Sequence, residues 1–222
     1  VWHEGSKRKG RVIETPHGFK DQLILMCKKE GEKWELFDKR IPVKAPKLGL
    51  TGGFRLEQQP LFEEFIGKNQ SGILQAPTRY GKSIMIINTM RAFPNMKTVV
   101  AAPGVDLLNQ TVDDFKKALP ERDIKGVFTG SKNRTQSADI TICSLDSLHK
   151  MDTEGTHLLL IDEPHAAVSE TRAPVIARFK NARIYGFGAT LTGRYDNADK
   201  LLTGLVGPVL AKRTFREAVS EN

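Results

Sequence analysis

The chain has 222 residues, 39% of them hydrophobic, and a formal net charge of +8. That length suits one ordinary domain with a modest appendage; no run of about 18 uncharged apolar residues predicts a membrane span, and two cysteines, Cys27 and Cys143, argue against a disulfide framework and exclude a cysteine-rich zinc site within the chain. The first fifty residues hold 12 Lys/Arg against 7 Asp/Glu, a net of +5, so over half of the positive excess lies in under a quarter of the chain, as a polyanionic partner or a solvated basic surface would give.

The opening V-W-H-E-G-S-K-R-K-G lacks the apolar segment of a secretory signal, and a start at Val1 reads as a fragment or a processed chain. Short apolar runs follow at Val12–Ile13, Leu23–Met26 and Trp34–Phe37, separated by turns at Pro16–Gly18 and Gly31. Such runs predict a β meander, so residues 1–50 are expected to form a small, basic, β-rich domain. Pro42–Gly53, with two prolines and three glycines, reads as a linker. From Phe54 the period changes. Phe54, Leu61, Phe62, Phe65 and Ile66 fall at helical spacing and predict an amphipathic helix ending near Gly67.

Strand and helix then alternate. Strands are expected at Gly72–Gln75, Thr98–Ala102, Ile124–Thr129, Ile140–Cys143, Leu158–Ile161 and Ile184–Gly186, with helices at Ser83–Phe93 and Val105–Leu119. Short apolar strands alternating with helices predict an α/β domain over 51–222, with a mostly parallel sheet covered on both faces.

Two segments carry chemistry. A-P-T-R-Y-G-K-S, Ala76, Pro77, Thr78, Arg79, Tyr80, Gly81, Lys82 and Ser83, joins the strand I-L-Q to the helix I-M-I-I-N-T-M. Backbone N–H groups of such a loop and the helix N-terminus attract phosphate oxygens, Lys82 brings a full charge, and Ser83 a hydroxyl for Mg²⁺. In L-L-L-I-D-E-P-H, an apolar strand ends in Asp162 and Glu163. At the carboxyl end of a parallel strand such groups face the ligand crevice. Asp162 is placed to hold Mg²⁺, directly or through water; Glu163 to polarise an attacking water; and His165 to sense the nucleotide. The remaining histidines have no ligand-like spacing, so no transition-metal site is expected.

These two segments resemble motifs I and II of the superfamily 2 helicases, and residues Phe54 to Arg194 resemble the first RecA-like ATPase domain of the DExH type. The resemblance implies a P-loop ATPase fold, with ATP and Mg²⁺ as cofactors and DNA as partner. Further segments match in order. F-R-L-E-Q resembles the stretch before motif I: Gln58, with Gln59 as second candidate, would read adenine, and Arg55 would contact phosphate or brace the loop. V-V-A-A-P-G-V-D-L-L-N-Q resembles motif Ia, implying backbone contacts from Pro103, Gly104 and Gln110. T-G-S-K implies such contacts from Thr129, Gly130 and Lys132, and I-C-S-L-D-S-L from Ser144. G-F-G-A-T-L-T-G-R resembles motif III and implies a coupling role for Ala189 and Thr190. The family usually has Thr-Gly where this chain has Arg79-Tyr80, and a hydroxyl residue and Pro where it has Gly188 and Leu191.

The resemblance therefore implies the nucleotide-binding half of an ATP-driven DNA helicase or translocase in an intracellular, DNA-containing compartment. Phage recombination helicases that remodel branched DNA have a similar small domain before the core. A second RecA-like domain is expected beyond this chain. Two other readings share these residues: a duplex translocase of restriction or chromatin type, and a nucleic-acid-binding module with a vestigial ATP site.

Overall fold

The computed structural model describes residues 2–4, 11–37, 44–104, 108–127, 138–189 and 198–220. Two short strands, β1 (Trp2–Glu4) and β2 (Arg11–Ile13), pair antiparallel. The meander expected after them is corrected. Leu23–Met26 lies in a helix, α1 (Lys20–Lys29), and Trp34–Phe37 adopts neither helix nor strand. A contiguous apolar run does not by itself separate strand from helix. Here Gln22, Leu23, Leu25, Met26 and the lysines, none branched at Cβ, favour helix, and Asp21 in the first turn with Lys28 and Lys29 in the last complement the helix dipole. The 3-10 turn His17–Phe19 seats this segment on the core. His17 Nε2 lies 3.2 Å from the Val206 carbonyl oxygen, and a Cβ on Gly204 would strike the Phe19 ring at 2.5 Å.

The core is a seven-stranded sheet with every pair parallel. Its strands are β3 (Gly72–Gln75), β4 (Thr98–Ala102), β5 (Ile124–Val127), β6 (Ile140–Ser144), β7 (Leu158–Asp162), β8 (Arg183–Gly188) and β9 (Val209–Lys212). Their spatial order is β5-β6-β4-β7-β8-β3-β9. Parallel neighbours need crossovers: α3 (Lys82–Ala92) lies between β3 and β4, α4 (Leu108–Ala118) between β4 and β5, α5 (Ala173–Ile176) between β7 and β8 and α6 (Ala198–Val206) between β8 and β9, while α2 (Gln58–Gly67) precedes the sheet and α7 (Phe215–Ser220) follows it. The strands match the expected ones closely. The tail adds β9, which the sequence reading left unassigned.

Alternate strand residues enter opposite cores. Leu74, Val100, Ile142, Leu160 and Phe187 pack with Phe62 and Phe65 of α2, Met85 and Met90 of α3 and Phe115 of α4. Ile73, Val99, Cys143, Ile161 and Ile184 pack on the other face with Ile176, Phe179, Leu202 and Val206. Each such side chain contributes about 1.5–3 kcal/mol by leaving water. Because all strands run the same way, the ends of β3, β4, β6, β7 and β8 lie along one edge. Five motifs scattered through the chain meet there.

Burial has a direct consequence for the two cysteines. Cys143 is fully buried in β6, and burial pushes its thiol up to about 12, whereas Cys27 on α1 is half-buried. The thiolate is the reactive form. The native chain is therefore expected to alkylate at Cys27 alone near neutral pH, with Cys143 labelled only after denaturant is added; mass spectrometry of timed iodoacetamide reactions checks this, and equal native rates would contradict the packing of β6.

Candidate nucleotide site and nucleic-acid face

The loop after β3 is held at both ends by backbone. Ala76 N donates to the Gly188 carbonyl at 3.0 Å, tying the loop to β8, and Tyr80 N donates to the Pro77 carbonyl at 3.2 Å. Gly81 has φ 98° and ψ 42°, and its carbonyl accepts from Ile84 N and Met85 N to start α3. Arg79 also has positive φ, 66°. It takes the left-handed conformation that glycine adopts freely, which costs a larger residue on the order of 1–3 kcal/mol. The departure from the family pattern thus leaves the loop turned while placing an exposed cation on it.

Tyr80, the other departure, points inward. Its ring is buried, and its hydroxyl donates to the Glu57 carbonyl at 3.0 Å. The Tyr80 carbonyl accepts from Arg55 Nη2 at 2.9 Å and from Gln58 Nε2 at 2.5 Å. Of the two roles expected for Arg55, bracing the loop is the one its contacts serve; its Nε also pairs with Glu57 at 3.2 Å. Gln58 is only 3% exposed, its amide turned toward the loop, and Gln59 is exposed and bonded to Glu63.

At the end of β7, Glu163 is the second chemically important residue with positive φ, 52°, and its N–H donates to the Phe187 carbonyl at 2.9 Å. Pro164 then opens a 3-10 turn, Pro164–Ala167, packed close to Gly186. This bend turns the Glu163 carboxylate toward the phosphate loop. Lys82 Nζ lies 2.5 Å from Glu163 Oε1, and His165 Nδ1 lies 3.3 Å from Glu163 Oε2. The four residues expected to carry chemistry, Lys82, Asp162, Glu163 and His165, therefore form one cluster.

Two atoms of this cluster, Asp162 Oδ1 and His165 Nδ1, are buried and make no hydrogen bond. Burial and then the neighbouring Glu163 charge hold the Asp162 carboxyl above the usual range, against the opposing pull of Lys82. A buried, orphaned carboxylate oxygen suits a hard divalent cation, which takes oxygen ligands. Ser83, exposed at the start of α3, offers the hydroxyl, and no group of three or more His, Cys, Asp or Glu able to hold a metal occurs among the described residues. The donor set fits Mg²⁺ shared with substrate phosphates and does not fit a protein-only cage.

This arrangement links stability to pH with a definite sign. A carboxyl raised in the folded state binds its proton more tightly there than when unfolded. Asp162 therefore contributes stability when protonated, and that contribution is lost as pH rises through its folded pKa. Asp162→Asn is expected to raise the neutral-pH melting temperature by roughly 2–4 °C, the shift that about 1 kcal/mol produces in a chain of this size. The gain should shrink in acid, where wild-type Asp162 is protonated. Calorimetric melts at two pH values check this, and an unchanged or lowered neutral Tm would contradict the orphaned carboxylate.

Other expected residues are placed unequally. Pro103 and Gly104 are exposed at the end of β4, and Gln110 is exposed on α4. Ala189 follows β8, and its carbonyl accepts from Gln75 Nε2 at 3.1 Å. Ser144 departs from expectation. It is 2% exposed, and its Oγ accepts from Ser147 N while bonding Ser147 Oγ, capping the 3-10 helix Leu145–Lys150. Its hydroxyl serves the fold because the strand end turns directly into that helix. Thr129, Gly130, Lys132 and Thr190 lie outside the described residues. One contributor was missed: Asn88, fully buried on α3, donates to and accepts from the backbone of Gly52 at 3.0 and 2.8 Å. The signal was a lone amide within the apolar run I-M-I-I-N-T-M.

Residues 52–193, well over half of the chain, match the family described as type III restriction enzyme, res subunit. Activating signal cointegrator 1 complex subunit 3 of Danio rerio is 24% identical over 180 residues, covering 68% of this chain but 12% of that protein, so most of that relative has no counterpart here. The UvsW helicase of bacteriophage T4 superposes with TM-score 0.67 at 19% identity, covering 94% of this chain and 84% of that chain. The Sulfolobus solfataricus SWI2/SNF2 ATPase core, solved with dsDNA, superposes with TM-score 0.54 at 17% identity over 74% of this chain and 38% of that one. At these identities the two superpositions speak for the fold. With the Ala76–Ser83 loop and the acidic end of β7 on the same edge of one parallel sheet, the chain belongs to the type III restriction enzyme res subunit family and is a RecA-like helicase domain of superfamily 2.

Proposed function

We propose that the chain is the Mg²⁺–ATP-binding half of an ATP-driven DNA helicase or translocase that remodels branched or duplex DNA. The observation carrying this reading is the 2.5 Å approach of Lys82 to Glu163 beside the orphaned Asp162 oxygen. Residues from the start of α3 and the end of β7 converge where a terminal phosphate and its attacking water would meet. Lys82 and the loop N–H groups bind and orient the phosphates. Asp162 and Ser83 would hold Mg²⁺, which neutralises phosphate charge when bound. Glu163 accepts the proton of the attacking water. The positive φ of Glu163 and its pairing with Lys82 set that carboxylate's orientation. Pro103, Gly104 and Gln110, exposed on the same side as the strand ends, would meet a nucleic-acid backbone and position it without reading sequence.

The basic N-terminal segment adds to that contact in this reading. Lys28 and Lys29 are exposed in the last turn of α1. Each phosphate neutralised releases counterions, so affinity falls with salt in proportion to the number of contacts. Lys28→Gln with Lys29→Gln is expected to weaken binding of forked and duplex DNA alike and to lower the log–log salt slope by about 2. Fluorescence anisotropy across a salt series measures it; an unchanged slope would leave these lysines on a solvated surface.

A second reading, a motor that pumps duplex DNA without separating strands, is favoured by the family itself, named for a restriction subunit. Displacement of a bound third strand without unwinding, by the longest protein carrying this domain, distinguishes it from a helicase.

A further inference from the structure

The segment before α2 is fastened at both ends. At one end the Asn88 amide grips Gly52 N and O from the phosphate-loop helix, and Arg91 Nη1 donates to the same Gly52 carbonyl at 3.2 Å. At the other, Gln58 donates to the Tyr80 carbonyl and accepts from Arg55 N at 2.9 Å, while Tyr80 holds the Glu57 carbonyl. Gly81 is part of this lock: a Cβ there would lie 2.5 Å from Gln58 Nε2, so the amide occupies space that only glycine leaves open. Residues 52–58 form a strap over α3, and its inner end presses on the residue preceding Lys82.

Gln58 is 3% exposed, with both ends of its amide engaged inside the protein. Turning that amide out to a base would strip the Tyr80 carbonyl of one donor and Arg55 N of its acceptor. Beside it, Leu56 is 95% exposed and offers only an apolar side chain, and Gln59 is bonded to Glu63. Strong selection among bases requires hydrogen-bonding groups aimed at the base edge, left unpaired when the wrong base binds. The strap aims its buried amide at the loop.

We propose that Gln58 is a positioning residue, holding the phosphate loop through Tyr80 and Gly81, and that the site consequently takes nucleoside triphosphates with weak discrimination among bases. This rests on the reading of Ala76–Ser83 as the phosphate site. Recognition is by the triphosphate, and the expected difference in Kd between ATP and GTP is within about tenfold, against the 10⁴–10⁵ that base-reading hydrogen bonds can give.

The test is calorimetric titration of the chain with Mg²⁺ and ATP, GTP, CTP or inorganic triphosphate, on wild type, Gln58→Ala, Gln58→Glu and Tyr80→Phe, each first shown folded by thermal melting. Gln58→Glu keeps an acceptor for Arg55 N but loses the donor to Tyr80. Tyr80→Phe removes only the hydroxyl bond to Glu57 and guards against a Gln58 variant that fails to fold. Similar wild-type affinities, with every variant losing ATP, GTP and inorganic triphosphate by the same factor, support the proposal. Wild-type preference for ATP above about a hundredfold, abolished in Gln58→Ala with inorganic triphosphate unaffected, overturns it and makes Gln58 a base reader. Failure of wild type to bind any triphosphate, inorganic triphosphate included, overturns the phosphate-site reading and the proposal with it, a pattern distinct from selective loss of one base.

Discussion

Glu163→Gln is expected to retain ATP and lose about 10²–10⁴ in turnover, the range that a positioned general base contributes. The substitution is nearly isosteric, so the bend after β7, set by positive φ at 163 and Pro164, has no reason to change. What changes is charge. In wild type Glu163 lies 2.5 Å from Lys82 and 3.3 Å from His165, so the Lys82 ammonium at the start of α3 is already paired with the proposed base. A phosphate drawing on Lys82 must compete with that carboxylate. The neutral amide removes the competitor, and ATP affinity is expected to be unchanged or tighter. Lys82→Ala should do the opposite: affinity falls, because the ammonium that meets the phosphates is gone, while Glu163 keeps its place. Titrations with Mg²⁺–ATP, and phosphate release by the longest protein carrying this domain with DNA present, separate the two. Turnover by Glu163→Gln above a tenth of wild type would remove Glu163 from its role, and unweakened binding by Lys82→Ala would remove Lys82 from its own.

How much of this was legible beforehand depended on whether a residue's task is set locally. T-V-V-A-A and L-L-L-I could be read as buried strands because both faces of a parallel sheet are covered, which leaves no polar alternation to confuse the pattern. The loop at Ala76–Ser83 was legible because binding phosphate demands a turn, bare N–H groups and a lysine in fixed order. Gln58 and Ser144 were the right residue types in the right places, yet their side chains face inward, one to the loop and one to a helix cap. Side-chain direction at a strand or helix end follows from what packs behind it, and spacing does not encode that. The grip of Asn88 on Gly52 spans 36 residues of chain and leaves only an amide in an apolar helix as its trace. Leu23–Met26 failed differently: four adjacent apolar residues carry no period, so a segment with few β-branched side chains and with favourable end charges went to helix.

This chain on its own is expected to bind nucleotide yet hydrolyse it slowly, about 10³–10⁵ below a complete motor, the factor an arginine supplied to the transferring phosphoryl group provides. Charge builds on that group in the transition state, and a preorganised cation opposite the loop stabilises it where water is excluded. The described site supplies Lys82 from below. Arg55, the arginine of the strap, is engaged by the Tyr80 carbonyl and Glu57, and Arg79 is exposed on the loop. After Asp162 the described residues add β8 and β9 to the same seven-stranded sheet, so they complete this domain and do not begin an opposing one. The superfamily resemblance implies such cations on a second RecA-like domain, and stepping along a polymer likewise needs two bodies that close and reopen as nucleotide turns over. Steady-state phosphate release by these 222 residues, with and without DNA, should therefore stay near background, while a protein that also carries the second domain is stimulated by DNA. Parent-like turnover that is independent of protein concentration would show that the single domain completes its own site, with Arg79 the first residue to substitute. Turnover rising with the square of concentration would instead identify a second copy as the donor of the missing charge.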